Sequence, residues 1–164
     1  MTAPAHPPTL GRDGIAERIP HAGSMCLLDA LEAWDAEGLL CRASSHHDPA
    51  NPLRSPQGLL APVAIEYAAQ AMALHGALTA APGTPPRPGY LAAVRGVVLH
   101  QPRLDTAAGP LRVQARRQAA AEQQAIYSFS VADAEGRPLV EGRATVVLNT
   151  PLNLPPATSP ENPT

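Results

Sequence analysis

The stretch APVAIEYAAQAMALHGA, residues 61–77, decides the architecture of this chain because it is the one clear helix in the sequence. Pro62 suits the first turn of a helix, and the Ala, Met, Leu and Gln residues that fill the body are good helix formers. We predict a helix over residues 62–80, ended by the proline- and glycine-rich segment at 82–89. Glu66 stands within this apolar run. An ionised carboxylate is costly to bury without a partner, so Glu66 requires a structural or chemical explanation.

The segments on both sides of the helix have the patterns of strands. Several of them alternate polar and apolar side chains with the period of two that is typical of half-buried strands. The two segments before the helix are joined by a turn with Gly38 where a positive φ is favoured. The predicted strands are 26–35, 38–46, 90–100, 109–119, 125–134 and 138–149. This order predicts an α+β fold in which an antiparallel sheet wraps one central helix.

The composition is that of an ordinary globular chain. A length of 164 residues suits one domain, with 45% hydrophobic and 16% charged residues. The net charge of −2 gives no reason to expect nucleic acid or an anionic membrane as a partner. No apolar run approaches the roughly 18 residues of a membrane-spanning helix. The N-terminus has no charged segment followed by an apolar one, so we expect no signal peptide and a cytoplasmic protein.

Both ends of the chain are predicted to be disordered tails. Residues 1–14 and the proline-rich residues 150–164 are short of the apolar surface that would offset the entropy of ordering. The ordered domain is therefore expected at residues 15–149. Cys26 and Cys41 fit no metal-binding spacing, so we expect two reduced thiols, no metal and no cofactor.

Two motifs have the form of a known enzyme family. Residues 19–35, IPHAGSMCLLDALEAWD, match the I-P-H and L-L-D parts of an opening written I-P-H-R-x-P-hydrophobic-L-L-x-D, with Ala in place of its Arg. Residues 64–73, AIEYAAQAMA, place Glu66 and Gln70 on the Glu and Gln of a characteristic central helix. Both motifs resemble the hotdog-fold 3-hydroxyacyl-acyl-carrier-protein dehydratases, in which an antiparallel curved sheet wraps around one central helix within a single domain.

Further segments look like one subgroup, the ApeP-like dehydratase proteins of aryl polyene gene clusters. The similarity covers about residues 15–149. It is carried by SHHDPANPLR (45–54), IEYAAQAMALHGAL (65–78), RPGYLAAVRGVVLH (87–100) and LVEGRATVVL (139–148).

The resemblance implies the removal of water from a 3-hydroxyacyl thioester held on an acyl carrier protein. A base takes the C2 proton, an acid protonates the departing 3-hydroxyl, and backbone N–H groups at the helix N-terminus stabilise the enolate-like oxygen. In the family a loop His and a helix carboxylate supply the acid–base pair from different subunits of a dimer. The resemblance therefore also implies a homodimer, or a heterodimer with a second hotdog subunit.

Glu66 is the candidate helix carboxylate. Small side chains and Gln70 share its helical face, so that face can pack closely while leaving room for a thin acyl chain. Gln70, four residues on, could hydrogen-bond the carboxylate or a neighbouring backbone group. The alternative for Glu66 is a helix-start residue that is favoured by the helix dipole or points to solvent.

The histidine partner is less clear. The family carries its His in a G-H-F-P-G segment before the helix, but the corresponding residues 51–63 contain no His. We therefore take His46 as the candidate catalytic partner of Glu66. His47 is the alternative, since neighbouring residues of a strand face opposite sides and only one can look into the site.

The other histidines are assigned no catalytic role. His75 is excluded as a partner of Glu66 within the subunit, because nine residues place it half a turn round the helix. For His21, in the opening motif, we expect turn or capping contacts. His100 stands at a strand end and has no special claim.

The residues around the helix start are candidates for substrate binding. They are Gln70, Asn51, Ala61, which stands where the family has Gly, and Arg54. Asx-turn chemistry is the alternative for Asn51 and for Asp48.

Four arginines could meet the acidic surface or the phosphopantetheine phosphate of a carrier protein, although a solvated strand face explains them equally well. They are Arg87, Arg95, Arg103 and Arg112. The resemblance also suggests that residues 90–100 pair across the dimer.

Three functions remain open from the sequence. The first is a dehydratase subunit acting in fatty-acid-like or aryl polyene biosynthesis. The second is a catalytically incomplete partner of a second hotdog subunit, which the missing G-H-F-P-G segment motivates. The third is an acyl thioesterase, because some hotdog hydrolases also use a helix carboxylate.

Overall fold

The computed structural model describes residues 9–85 and 89–148. Two helices, seven strands and three short 3-10 turns make up this part of the chain. In chain order they are β1 (Leu10–Gly11), α1 (Arg12–Ala16), a turn at Gly23–Met25, β2 (Ala30–Trp34), β3 (Gly38–Ala43), turns at Ser45–His47 and Ala61–Val63, α2 (Ala64–Thr79), β4 (Gly89–Leu99), β5 (Leu111–Ala120), β6 (Gln124–Ala132) and β7 (Pro138–Leu148).

The strands form one antiparallel sheet in the order β1-β2-β3-β5-β6-β7-β4. Helix α2 packs against β3, β5 and β6, so the face of the sheet towards α2 carries the core. In β5, for example, Leu111, Val113 and Ala115 are fully buried, whereas the side chains between them are exposed on the opposite face, which we call the outer face. The predicted α+β plan of one main helix and an antiparallel sheet is confirmed.

The N-terminal tail is shorter than the sequence predicts. Leu10 and Gly11 pair with β2, and α1 follows directly, so residues 10–14 are structured. The guanidinium of Arg12 donates a hydrogen bond of 2.6 Å to the Cys26 carbonyl, and Ile15 is fully buried. These contacts offset the entropy of ordering a segment whose composition alone indicates a tail. Residues 1–8 and the predicted C-terminal tail at 150–164 lie outside the described residues.

The first predicted strand is also shorter than expected. Strand β2 begins only at Ala30, and of residues 26–29 it is Asp29 whose backbone N–H bonds to β3, at the Arg42 carbonyl. Leu27 and Leu28 are fully buried, which explains the apolar pattern, but the Leu27 backbone N–H donates to a side chain of α2. The apolar run therefore fills the core as an irregular segment under the helix.

Strand β4 closes one end of the sheet and leaves an open edge. It pairs with β7 on one side, and most of its residues are exposed, including the large apolar side chains of Leu91 and Val98. In the described ranges, no helix has both the length and the apolar character needed to cross a membrane.

Candidate active site

Glu66 lies in the first turn of α2 and contacts two other side chains. Its Oε1 is 2.8 Å from Nε2 of His21 and 3.1 Å from the amide nitrogen of Gln70. The side chain of Glu66 is 31% exposed. Both recorded contacts are to Oε1, which leaves Oε2 without a recorded partner among residues 9–85 and 89–148. The Glu66 carboxylate is therefore held through Oε1, while Oε2 is available to accept a proton.

Gln70 holds the Glu66 carboxylate in place through buried hydrogen bonds. It is fully buried, its Oε1 accepts from the Leu27 N–H at 2.9 Å, and its Nε2 donates to the Met25 carbonyl at 2.7 Å. The same Nε2 donates to Glu66. The expected hydrogen bond of Gln70 to the carboxylate is present, together with two backbone bonds that join α2 to residues 25–27. Because Gln70 has no exposed surface, its position suits holding Glu66 rather than contacting a substrate.

His21 is the histidine that the structure brings to Glu66. It lies between α1 and the 3-10 turn at Gly23–Met25, two residues after the buried Ile19, and its side chain is 24% exposed. When Nε2 donates to Glu66, the neutral ring has Nδ1 as its acceptor, and Nδ1 is buried with no hydrogen-bond partner among the described residues. The sequence favours turn or capping contacts for His21. One sequence signal pointed to the contact seen here. His21 belongs to the same opening motif, residues 19–35, as Met25 and Leu27, whose backbone groups bind Gln70.

The structure does not bring His46 to Glu66. His46 has no exposed surface, and its Nε2 lies 3.3 Å from the Ala107 carbonyl. Burial lowers the pKa of His46, so the neutral ring is favoured. Within the subunit it is therefore His21, and not His46, that contacts Glu66, and the predicted catalytic pairing of His46 with Glu66 across a dimer stays a prediction. The physical reason why His46 does not contact Glu66 within the subunit is that residues 45–47 form a 3-10 turn, which turns His46 into the protein instead of along a strand.

Among the described residues, His47 and His75 also have partners other than Glu66. His47 Nε2 lies 2.7 Å from the same Ala107 carbonyl, and its ring contacts that of His46 at a tilt of 36°. His75 is buried between the Tyr127 hydroxyl at 2.9 Å and the Asp35 carbonyl at 3.0 Å. It has no recorded contact with Glu66, as the helical spacing predicts.

The predicted substrate-binding role of Asn51 is not supported by its contacts. Asn51 is 5% exposed, and its Oδ1 accepts from the Leu53 N–H as in an Asx turn. Its amide nitrogen donates to the Ser45 carbonyl and to the hydroxyl of Tyr67, a buried residue of α2. Asn51 therefore ties the loop to the helix.

Arg54 makes structural contacts, and its predicted contact with substrate stays a prediction. Its guanidinium donates to Asp105 at 2.9 Å and to the His46 carbonyl at 2.8 Å. Arg103 binds the same carboxylate, and hydrogen bonds from Arg103 hold the pKa of Asp105 well below its usual range. Two guanidinium groups thus share one carboxylate, and Arg54 also holds the backbone at His46.

The backbone N–H of Ala61, a predicted substrate-binding residue, is already hydrogen-bonded within the chain. It is fully buried, and its N–H donates to the Pro102 carbonyl at 2.9 Å. The next available N–H, from Val63, donates to Leu60 within the 3-10 turn. Neither of these two N–H groups is therefore free for the enolate-like oxygen, whose donors the resemblance places at the helix N-terminus. Arg87 lies outside the described residues, and Arg95 and Arg112 are exposed on the outer face of the sheet.

Neither cysteine takes part in this site. Cys26 and Cys41 are buried free thiols, and burial raises the pKa of Cys41 to about 12. Within the described residues, no group of three or more His, Cys, Asp or Glu side chains could hold a metal ion.

One long helix packed within an antiparallel sheet, with its carboxylate held by the segment that precedes β2, defines a hotdog-fold protein. The chain belongs to the ApeP-like family, described as ApeP dehydratase, whose sequence model matches residues 14–154. Among curated proteins, none has a sequence that matches this chain significantly.

Solved structures support the fold. The chain is similar to the dehydratase heterocomplex ApeI:P from Xenorhabdus doucetiae, with a TM-score of 0.70, 21% identity, and coverage of 84% of this chain and 91% of that chain. It is also similar to a mutant thioesterase from Pseudomonas aeruginosa, with a TM-score of 0.54, 18% identity, and coverage of 72% of this chain and 78% of that chain. The chain is also similar to the PaaI protein of E. coli, from the phenylacetic acid degradation operon. The TM-score is 0.55 and the identity 13%, with coverage of 83% of this chain and 88% of that chain. These identities are low, so the likenesses show the fold alone.

Proposed function

We propose that this chain is a dehydratase subunit that removes water from a 3-hydroxyacyl thioester carried on acyl carrier protein, in fatty-acid-like or aryl polyene biosynthesis. The observation that carries the proposal is the contact of 2.8 Å between Glu66 and His21 on the helix face where dehydratases of this fold keep a carboxylate. Membership of the ApeP-like family supports the reaction class. The reaction needs no cofactor, because the thioester itself acidifies the C2 proton.

The geometry suits one carboxylate that takes a proton from C2 and then gives it to the departing hydroxyl. Glu66 Oε2, the oxygen without a recorded partner, accepts the proton from C2 of the acyl chain. The C–H electron pair forms the C2=C3 bond, the C3–O bond breaks, and the proton is delivered to the departing hydroxyl to release water. His21 donates to Oε1 throughout and stabilises the carboxylate, and Gln70 orients it. The protonation of the pair is the same before and after one turnover.

We propose that the working protein is a dimer formed along β4. The open edge of β4 carries unpaired backbone groups, and Leu91, Val97, Val98 and Leu99 are all more than a third exposed. An edge of this kind is a template for pairing with a second strand. A second copy and a second hotdog subunit both fit this edge. Similarity to a dehydratase heterocomplex favours testing the second hotdog subunit first.

The test is the conversion of a 3-hydroxyacyl carrier protein to its enoyl product. Glu66→Gln should lower the rate by about 10²–10⁴, the range for loss of general acid–base catalysis. Glu122→Gln, at an exposed glutamate between β5 and β6, is the matched control and should retain the wild-type rate. A rate for Glu66→Gln within tenfold of the wild type would refute the role of Glu66.

Two further comparisons separate the alternatives. His21→Asn should lose activity whereas His46→Asn, assayed at an equal folded fraction, should retain it. The reverse result would restore His46 as the catalytic histidine. Enoyl product that appears only after a second hotdog protein is added would favour the incomplete partner subunit. Release of free acid and thiol in place of enoyl product would favour the thioesterase.

A further inference from the structure

A depression lies over β4, β7 and β6 on the outer face of the sheet, the face turned away from α2. Its volume is about 420 Å³, and its lining residues are Arg95, Gly96, Ile126, Arg143 and Thr145. None of these residues is acidic. Because α2 and Glu66 lie on the other side of the sheet, this depression is separate from the candidate active site.

Two guanidinium groups face the depression from directly opposite positions. Arg95 on β4 is in register with Arg143 on β7, and both are exposed. Like charges directly opposite each other in a sheet are destabilising. In the part of the chain that the structure describes, neither arginine has a recorded ion pair or hydrogen bond. The fold therefore holds two neighbouring cations with no direct ion pair, since Glu141, two residues before Arg143 on β7, contacts His100 instead.

The backbone next to these arginines is irregular. The register between β4 and β7 shifts between Arg95 and Val98, so Gly96 and Val97 lie opposite a single residue of β7. Gly96 has a φ of +59°, a conformation that L side chains rarely adopt. Bulges of this kind often re-aim a side chain next to a functional site. The strand pair is thus built with a bulge at the rim of the depression.

A second pair of opposed arginines provides an internal comparison. Arg42 on β3 is in register with Arg112 on β5, and both are exposed on the same outer face. Neither residue lines the depression, and β3 and β5 keep an unbroken register there. What distinguishes Arg95 and Arg143 is therefore the concave surface, the hydroxyl of Thr145 and the bulge, not the local positive charge.

We propose that the depression at Arg95 and Arg143 binds a phosphate group. Two guanidinium groups match the oxygens of a phosphate, which accept charge-assisted hydrogen bonds, and Thr145 supplies a further donor. The phosphate is either a free inorganic anion or the phosphate ester of a larger molecule that lies along the apolar wall at Ile126. This inference does not depend on the proposed dehydration chemistry.

The experiment is a calorimetric titration of the full chain with inorganic phosphate at constant ionic strength. We expect saturable binding of one phosphate per chain. Arg95→Gln and Arg143→Gln should each weaken it by about tenfold or more, because each removes charge-assisted hydrogen bonds. Arg112→Gln, the matched control on the same face, should bind as the wild type does. The proposal would be overturned if phosphate binding to the wild-type chain did not saturate. It would also be overturned if Arg112→Gln weakened phosphate binding as much as Arg95→Gln and Arg143→Gln do.

A second titration identifies the source of the phosphate. Tighter binding of 4′-phosphopantetheine than of both inorganic phosphate and pantetheine assigns the site to a phosphate ester. Equal binding of inorganic phosphate and 4′-phosphopantetheine assigns it to the free anion. Equal binding of pantetheine and 4′-phosphopantetheine would contradict a phosphate site.

Discussion

Replacement of Gln70 by Leu tests the hydrogen bonds that hold Glu66. The side chains are similar in volume, so the change removes hydrogen bonds and leaves the packing nearly intact. It deprives the buried Leu27 N–H and the partly buried Met25 carbonyl of their partners. An unsatisfied buried group costs about 1–3 kcal/mol. The cost for the Met25 carbonyl is at the low end of this range, because water reaches it. We expect the free energy of unfolding to fall by about 2–4 kcal/mol.

The measurement is urea unfolding of the wild type and of Gln70→Leu, followed by fluorescence and circular dichroism. The slope of the free energy against urea should be unchanged, so that the shift of the midpoint reports stability alone. Gln118→Leu is the matched control, because Gln118 is exposed and makes a single side-chain hydrogen bond to Ser128. It should change stability by less than about 0.5 kcal/mol. A similarly small effect of Gln70→Leu would refute the role given to Gln70.

Two further outcomes follow from buried groups elsewhere in the chain. Burial lowers the pKa of His46 and of His75, so below about pH 6.5 the unfolded chain binds more protons and the free energy of unfolding should decrease. Urea midpoints measured from about pH 7.5 down to about pH 5.5 check this, and a midpoint that rises on acidification would contradict it. A Cβ on Gly142 would lie 2.8 Å from Cζ of Phe129, so Gly142→Ala should lower stability by about 1–3 kcal/mol. Gly76→Ala, within α2 and with open space at the Cβ position, should raise stability by about 0.5–1 kcal/mol, and thermal unfolding of both variants tests the pair.

The parts of the site that lie within α2 could be predicted from the sequence. Residues four apart on a helix share a face, so the contact between Glu66 and Gln70 follows from their spacing once the helix is recognised. The helix bounds also agree, because residues 61–79 form a 3-10 turn followed by α2 where 62–80 was predicted. Local spacing and helix propensity suffice for these features.

The sequence did not identify the histidine that contacts Glu66 within the subunit, because that contact joins residues far apart in the chain. His21 and Glu66 are 45 positions apart, and no local pattern fixes their distance. His46 looked like a strand residue, but its turn and the distant Ala107 carbonyl bury it. Similarly, Arg54 became a structural residue because the fold places Asp105 beside it.

The sequence by itself determined the central helix, the antiparallel plan, and the position of Glu66 and Gln70 on one helix face, since each depends on neighbours within a few residues. Only the tertiary structure decided which histidine meets Glu66, since that contact forms when the segment before β2 crosses under α2. The same holds for the arginine pair at the β4–β7 bulge. Two strands that are distant along the chain become neighbours only after the sheet has formed, and their register then sets which charges stand opposite each other.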